Sequence, residues 1–248
     1  MRHQGMAAFV ERKDAPLLLC QHLALLQAGD DALERPVEVG LGDSQVTATT
    51  EFGDEVTLGG SARTLKSMSV LMSSWGCESG SWQASCTTTP GATFTVPLTF
   101  TVYADDGGTA GAALASSTQS VAIAYRPSAS AQCTGANAGK WYSSKDRTCY
   151  SGYPQLVTMT FPAVTLPTSV FWAVAYNTTH YGASPVGEGA GCFSEDGGCG
   201  YDSLNVGDKT FANSPYAGTD VDEDSVFRNG AMESGWAGYR PLGALATG

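Results

Sequence analysis

Six cysteines fall into three close pairs along the last two-thirds of the chain, Cys77 with Cys86, Cys133 with Cys149, and Cys192 with Cys199. The intervening stretches, ESGSWQAS, TGANAGKWYSSKDRT and FSEDGG, are 8, 15 and 6 residues long. Each is rich in turn formers and lies between segments that read as strands. Six cysteines allow about fifteen connectivities, and pairing within each short loop is the expectation adopted. A crosslink closing about fifteen residues stabilises by roughly 3 kcal/mol on the chain-entropy model. Zinc is disfavoured, because structural zinc sites use gaps of about two to four residues and no Cys-x-x-Cys is present. The pattern therefore predicts a β-framework with disulfide-stapled loops in an oxidising compartment, secreted or at the cell surface.

The strands announce themselves by alternation. Phe94, Val96, Leu98, Phe100 and Val102 alternate with Thr95, Pro97, Thr99, Thr101 and Tyr103, a period of two that predicts a half-buried strand. Pro97 predicts an edge position or a bulge there, since proline cannot donate to the ladder. Further strands are predicted over Leu65–Trp75, around Val121, Ile123 and Tyr125, around Val157–Phe161, and over Val170–Tyr176 after the turn at Pro167. Connections are Gly and Pro rich, no long helical window follows residue 36, and no repeat of solenoid or propeller length is found. The expected fold is all-β, an antiparallel β-sandwich or jelly roll, formed as one domain over residues 41–248.

Residues 1–40 differ in character. Residues 1–36 hold nine charged residues and two of the three histidines, His3 and His22. Pro16–Gln27, PLLLCQHLALLQ, is the one good helical stretch, opened by proline and closed by Gly29. It reads as a poorly attached helix in a degenerate signal-like or artefactual extension, the last being preferred, with Cys20 as the odd thiol. Its LLLC stretch lacks the small residue that a lipidation box needs before the cysteine.

Composition narrows the function. Only 15% of residues are charged, 42% are hydrophobic, and the formal net charge is -11. Such a field repels phosphate backbones, so nucleic acid is not an expected partner. No apolar run reaches the length of about 18 residues that a membrane-spanning helix needs. The sequence leaves the oligomeric state open.

EFGDEVTLGGSARTLKSMSVLMSSW from Glu51, YRPSAS from Tyr125, WYSSKDRTCY from Trp141, AYNTTHYG from Ala175, CGYDSLNVG from Cys199 and GWAGYRP from Gly235 together resemble blocks of secreted bacterial β-sandwich domains of unassigned function, of the type found in surface-anchored proteins. The resemblance covers roughly residues 45–243. It implies a secreted or surface-displayed sandwich and carries no established catalytic residues.

Candidate site residues come from the loops. Trp82, Trp141, Tyr142 and Tyr181 sit in or beside the cysteine-bracketed segments, where an exposed ring could stack on a sugar face; burial at the ends of the core is the competing reading. Asp220, Asp222 and Asp224 alternate in GTDVDEDS, a spacing that could aim oxygens at a structural calcium, although it is not an EF-hand. His180 is the sole histidine of the β-region and would have to serve any Ser-His-Asp hydrolase, yet no G-x-S-x-G elbow accompanies it. The expected function is a noncatalytic secreted or cell-surface module engaged in carbohydrate binding, adhesion or surface structure, with a polysaccharide or surface glycan as partner. The alternative is an extracellular hydrolase acting on a polysaccharide or ester.

Overall fold

The alternating run from Phe94 becomes β3 (Thr93–Asp105), with Phe94, Val96, Leu98, Phe100 and Val102 buried and Thr93, Thr95 and Pro97 exposed. This computed structural model describes residues 51–80, 85–176, 204–207, 218–236 and 241–248. The N-terminal helix expected over Pro16–Gln27, with Cys20 and the 1–40 boundary, lies outside these residues, as do Trp82, His180, Tyr181, Cys192 and Cys199.

All the described strand pairs are antiparallel. Before β3 come β1 (Phe52–Thr57) and β2 (Thr64–Ser74). After it follow β4 (Ala110–Ala124), β5 (Trp141–Ser143), β6 (Thr148–Tyr150), β7 (Tyr153–Thr165), β8 (Ser169–Ala175) and β9 (Leu204–Val206). The last are β10 (Thr219–Asp220), β11 (Ser225–Arg228), β12 (Ala231–Ser234) and β13 (Gly243–Thr247). One sheet runs β12-β11-β1-β8-β3-β4, with β10 also on β1; the second runs β13-β2-β7, with β9 also on β2. β5 and β6 form a separate hairpin.

The two large sheets make a β-sandwich whose inner faces supply one core. Phe52, Phe100, Val102, Val170, Trp172, Val174 and Val226 of the first sheet meet Leu65, Met68, Val70, Met72, Val157, Met159 and Leu245 of the second. Alternation sends the intervening side chains of β8 and β11 the other way, where Phe171, Ala173 and Phe227 form a smaller apolar cluster with Tyr103 and Met232. No described helix is long and apolar enough to cross a membrane.

The prediction for Pro97 needs correction, because β3 is an interior strand between β8 and β4. β8 nevertheless ends at Ala175, opposite Thr99, so among the described residues Pro97 has a strand partner only on its β4 side. The proline is tolerated where the neighbouring strand has run out.

Two of the three expected disulfides lie within the described residues and pair as expected, Cys77–Cys86 and Cys133–Cys149, with Cα separations of 5.4 and 5.9 Å. Such bonds are consistent with a non-cytoplasmic chain.

Candidate functional site

Both disulfide loops gather at one end of the sandwich, and Arg126 joins them. It lies two residues past the end of β4, and its backbone N–H donates to the Gly76 carbonyl at 2.9 Å, beside Cys77. Its guanidinium Nη2 donates to the Gly139 carbonyl at 2.7 Å, inside the Cys133–Cys149 loop. The same strand exit is laced on further: Tyr125 N–H donates to Ala92 O, Ala129 N–H to Cys86 O, and Ser130 N–H to Lys140 O. Ser128 Oγ accepts from Thr88 N–H at 2.9 Å. Arg126 is fully buried, and desolvation pulls its pKa down to about 10, which still leaves it charged at neutral pH.

The hairpin β5–β6 stands on this base. Trp141 opposes Tyr150, and Tyr142 opposes Cys149, so alternation puts Trp141 and Tyr142 on opposite faces. Trp141 turns inward at 4% exposure, its indole N–H donates to Gly152 O at 2.8 Å, and its ring packs against Tyr150 and Tyr153 with centroids 5.3 and 5.5 Å away. Tyr142 is half-buried, on the face of Cys149 and its disulfide. Of the four aromatics proposed from the sequence, the described residues hold two, on opposite faces: Trp141 anchors the hairpin, and Tyr142 is half-buried on the other side.

At the hairpin turn, Asp146 accepts a hydrogen bond from the Tyr150 hydroxyl. Burial pushes the Asp146 carboxyl up, but the hydrogen bond from Tyr150 and the charge of Lys145 help to outweigh it, so its pKa falls below the usual value. Lys140, Lys145 and Arg147 make this short stretch cationic within an acidic chain.

The acidic segment is tied into its own turns by its carboxylates. Asp220 Oδ1 accepts from Asp222 N–H at 3.0 Å, Asp222 Oδ1 from Asp224 N–H at 3.2 Å, and Asp222 Oδ2 from Ser225 Oγ at 2.7 Å. Successive carboxylates cap the next turn of backbone, a local habit of Asp. Among the described residues, no group of three or more His, Cys, Asp or Glu side chains converges to hold a metal ion. The geometry lends the calcium reading of Asp220, Asp222 and Asp224 no support.

Asp222 acts instead on a residue that the sequence reading passed over. Glu55 of β1 is 6% exposed, and its pKa is raised, first by burial and then by the charges of Asp105 and Asp222. Nearby on this face, the Tyr103 hydroxyl donates to Glu51 Oε2 at 2.8 Å, and burial with that bond lifts its pKa to about 12. In FGDEVT two adjacent acids hide the strand, and only the resemblance from Glu51 pointed to one. Arg126 sits in YRPSAS, where nothing local marks it as the residue joining two loops.

The chain matches no family model, no curated protein and no solved structure.

Proposed function

We propose that this chain is a noncatalytic, secreted or cell-surface β-sandwich module that binds a surface polysaccharide through the β5–β6 hairpin, with Tyr142 as the stacking ring. The observation that carries the reading is the division of labour within the hairpin. Trp141 fixes one face to the body of the protein, while Tyr142, half-buried beside the Cys133–Cys149 bond, lies on the other. A ring held in advance loses little conformational entropy on binding, which favours stacking against a sugar face. Lys140, Lys145 and Arg147 around it fit a polysaccharide that carries some negative charge.

The test is a binding screen of the full chain against neutral and acidic insoluble polysaccharides, run beside chromogenic esters and glycosides with and without EDTA. Retention on an acidic glycan, weakened about tenfold by Tyr142→Ala, is the expected result, since one aromatic contact has that size. Turnover that disappears in the His180→Ala variant would overturn the reading in favour of the hydrolase.

A further inference from the structure

The outer strands of the two sheets are protected unequally. β12 has four residues, and its Glu233 is paired to Arg228 at 3.0 Å. β7 carries Pro154 and Pro162, and β13 has five residues with a register shift at Ala246/Thr247. Short length, charge, proline and bulges are the devices that stop a sheet edge from pairing with another chain. β4 is also an outer strand, yet it has fifteen residues, AGAALASSTQSVAIA, with no proline and no charge.

The direction of its free groups follows from one side chain. Ala124 N–H donates to Gln155 Oε1, and Gln155 Nε2 donates to Ala122 O, both at 2.9 Å. The backbone groups of Ala122 and Ala124 therefore point away from β3, toward the open side. With a period of two, those of Ser120, Thr118 and Ser116 do the same. All three residues are exposed, and among the described residues no backbone hydrogen bond outside the β3 ladder reaches them. Pro97 agrees with this phase, since it faces Ser120 at a position that needs no N–H toward β4.

The open stretch is bounded on both sides. Toward its start the register shifts at Leu114, where Val102 opposes Ala115 but Tyr103 opposes Ala113. Toward its end the Gln155 carboxamide already occupies Ala122. Leu114 and Ala122 are equidistant from Thr118. Gln155 also shows what the edge accepts, because a carboxamide offers one donor and one acceptor just as a peptide does.

We infer that this edge is a self-association surface, on which two copies pair β4 with β4 antiparallel about a two-fold axis at Thr118. Thr118 then faces its own counterpart and Ser116 faces Ser120, with two hydrogen bonds per pair. The hydroxyl contacts already present across the sheet, Thr99 with Thr118 at 2.8 Å and Thr101 with Ser116 at 3.1 Å, gain a matching row beyond the edge. A second copy is the fitting occupant because both the register limits and the chemistry are self-complementary. It also avoids repulsion: in a chain of net charge -11, this long edge brings no carboxylate of β4 against another. Few apolar groups are covered, so the dissociation constant falls on the order of 100 μM.

Sedimentation equilibrium of the full chain over a wide concentration range, with amide hydrogen exchange, tests the pairing. The expected result is a monomer–dimer equilibrium with concentration-dependent protection at Ser116, Thr118 and Ser120. Thr118→Lys and Thr118→Glu each set like charges opposite themselves and weaken association at least about tenfold, and an equimolar mixture of the two restores it. Both substitutions sit on an exposed position, so the fold is kept. A strictly monomeric wild-type chain, a dimer indifferent to either substitution, or a mixture no better than its components would overturn the inference. Protection of the three amides in a monomer would overturn it too, because the edge would then be covered from within the chain.

Discussion

Gly243 of β13 lies so close to Trp172 of β8 that a β-carbon on it would stand 2.5 Å from two atoms of the indole ring. The two residues belong to opposite sheets, so the glycine sets how near β13 can come to the largest side chain of the core. Gly243→Ala forces one sheet or the ring to shift and destabilises by about 2 kcal/mol, the usual cost of overpacking. Urea unfolding measures it. Trp172→Phe in the same chain frees space, so the double variant loses less than the sum of the two single changes.

Gln155 makes a second contact between the sheets, holding Ala122 and Ala124 from β7. Gln155→Ala removes both hydrogen bonds and costs about 1–2 kcal/mol. The freed Ala122 and Ala124 would face Leu114 and Ala112 across the two-fold, at and beyond the register shift, so stability falls while self-association stays as it was. Gln155→Glu keeps the acceptor for Ala124 N–H but sets a carboxylate against Ala122 O. That variant is weakened at neutral pH and recovers in acid, where a protonated carboxyl donates to Ala122 as the amide did. Denaturation midpoints at neutral and acid pH separate the two substitutions.

Arg126 connects two disulfide loops with a buried cation, which gives its variants a definite order. Arg126→Ala leaves the Gly139 carbonyl without its donor and opens a cavity, costing about 3 kcal/mol. Arg126→Met fills most of the volume and removes the desolvation cost of the charge, so it loses less. Thermal unfolding ranks wild type, Met and Ala. Hydrogen exchange in 133–149 rises in both variants, since the loop loses its tie to the strand exit.

How legible these features were in the chain follows from what each rests on. β3 and β7 were visible because one face of each is apolar and the other rich in Thr or small residues, and β8 because Val170, Trp172 and Val174 recur at a period of two. The two described disulfides were visible because local pairing is the short route for loop closure. β4 was seen only at its end, around Val121 and Ile123, because a mostly exposed edge of Ala and Ser shows no hydrophobic period. β13, GALAT, is too short and too poor in large apolar residues to announce a strand, and its pairing with β2 depends on residues far away in sequence. For the site, the loop position of Trp141 and Tyr142 was visible, but which ring turns inward depends on strand alternation within the hairpin. The alternate spacing of the aspartates at 220, 222 and 224 was visible, whereas the N–H groups that Asp220 and Asp222 accept from are set by the turn. No local pattern could disclose Glu55, whose environment is assembled from β1, the end of β3 and the turn before β11.

Glu55 gives the stability of this protein a component that runs opposite to ordinary acid denaturation. Its folded pKa lies above the unfolded value of 4.5, chiefly through burial and then through Asp105 and Asp222. The folded chain therefore holds that proton more tightly than the unfolded chain. The stabilisation is complete below pH 4.5 and is lost as pH rises through the folded pKa. Glu78, held low by Thr89, and Asp146 act in the opposite sense, losing their contribution as pH falls. The wild-type profile mixes these trends, so the difference between wild type and Glu55→Gln isolates the buried acid. At neutral pH the Gln variant is the more stable of the two, and the gap narrows as pH falls and closes once Glu55 is protonated in both states. Asp222→Asn removes one of the lesser causes and moves the upper end of this window down without abolishing it. Urea midpoints across the acid range, with a carboxyl NMR titration of Glu55 in each variant, read both effects. A gap that stays constant with pH would show that Glu55 titrates alike in the folded and unfolded chain.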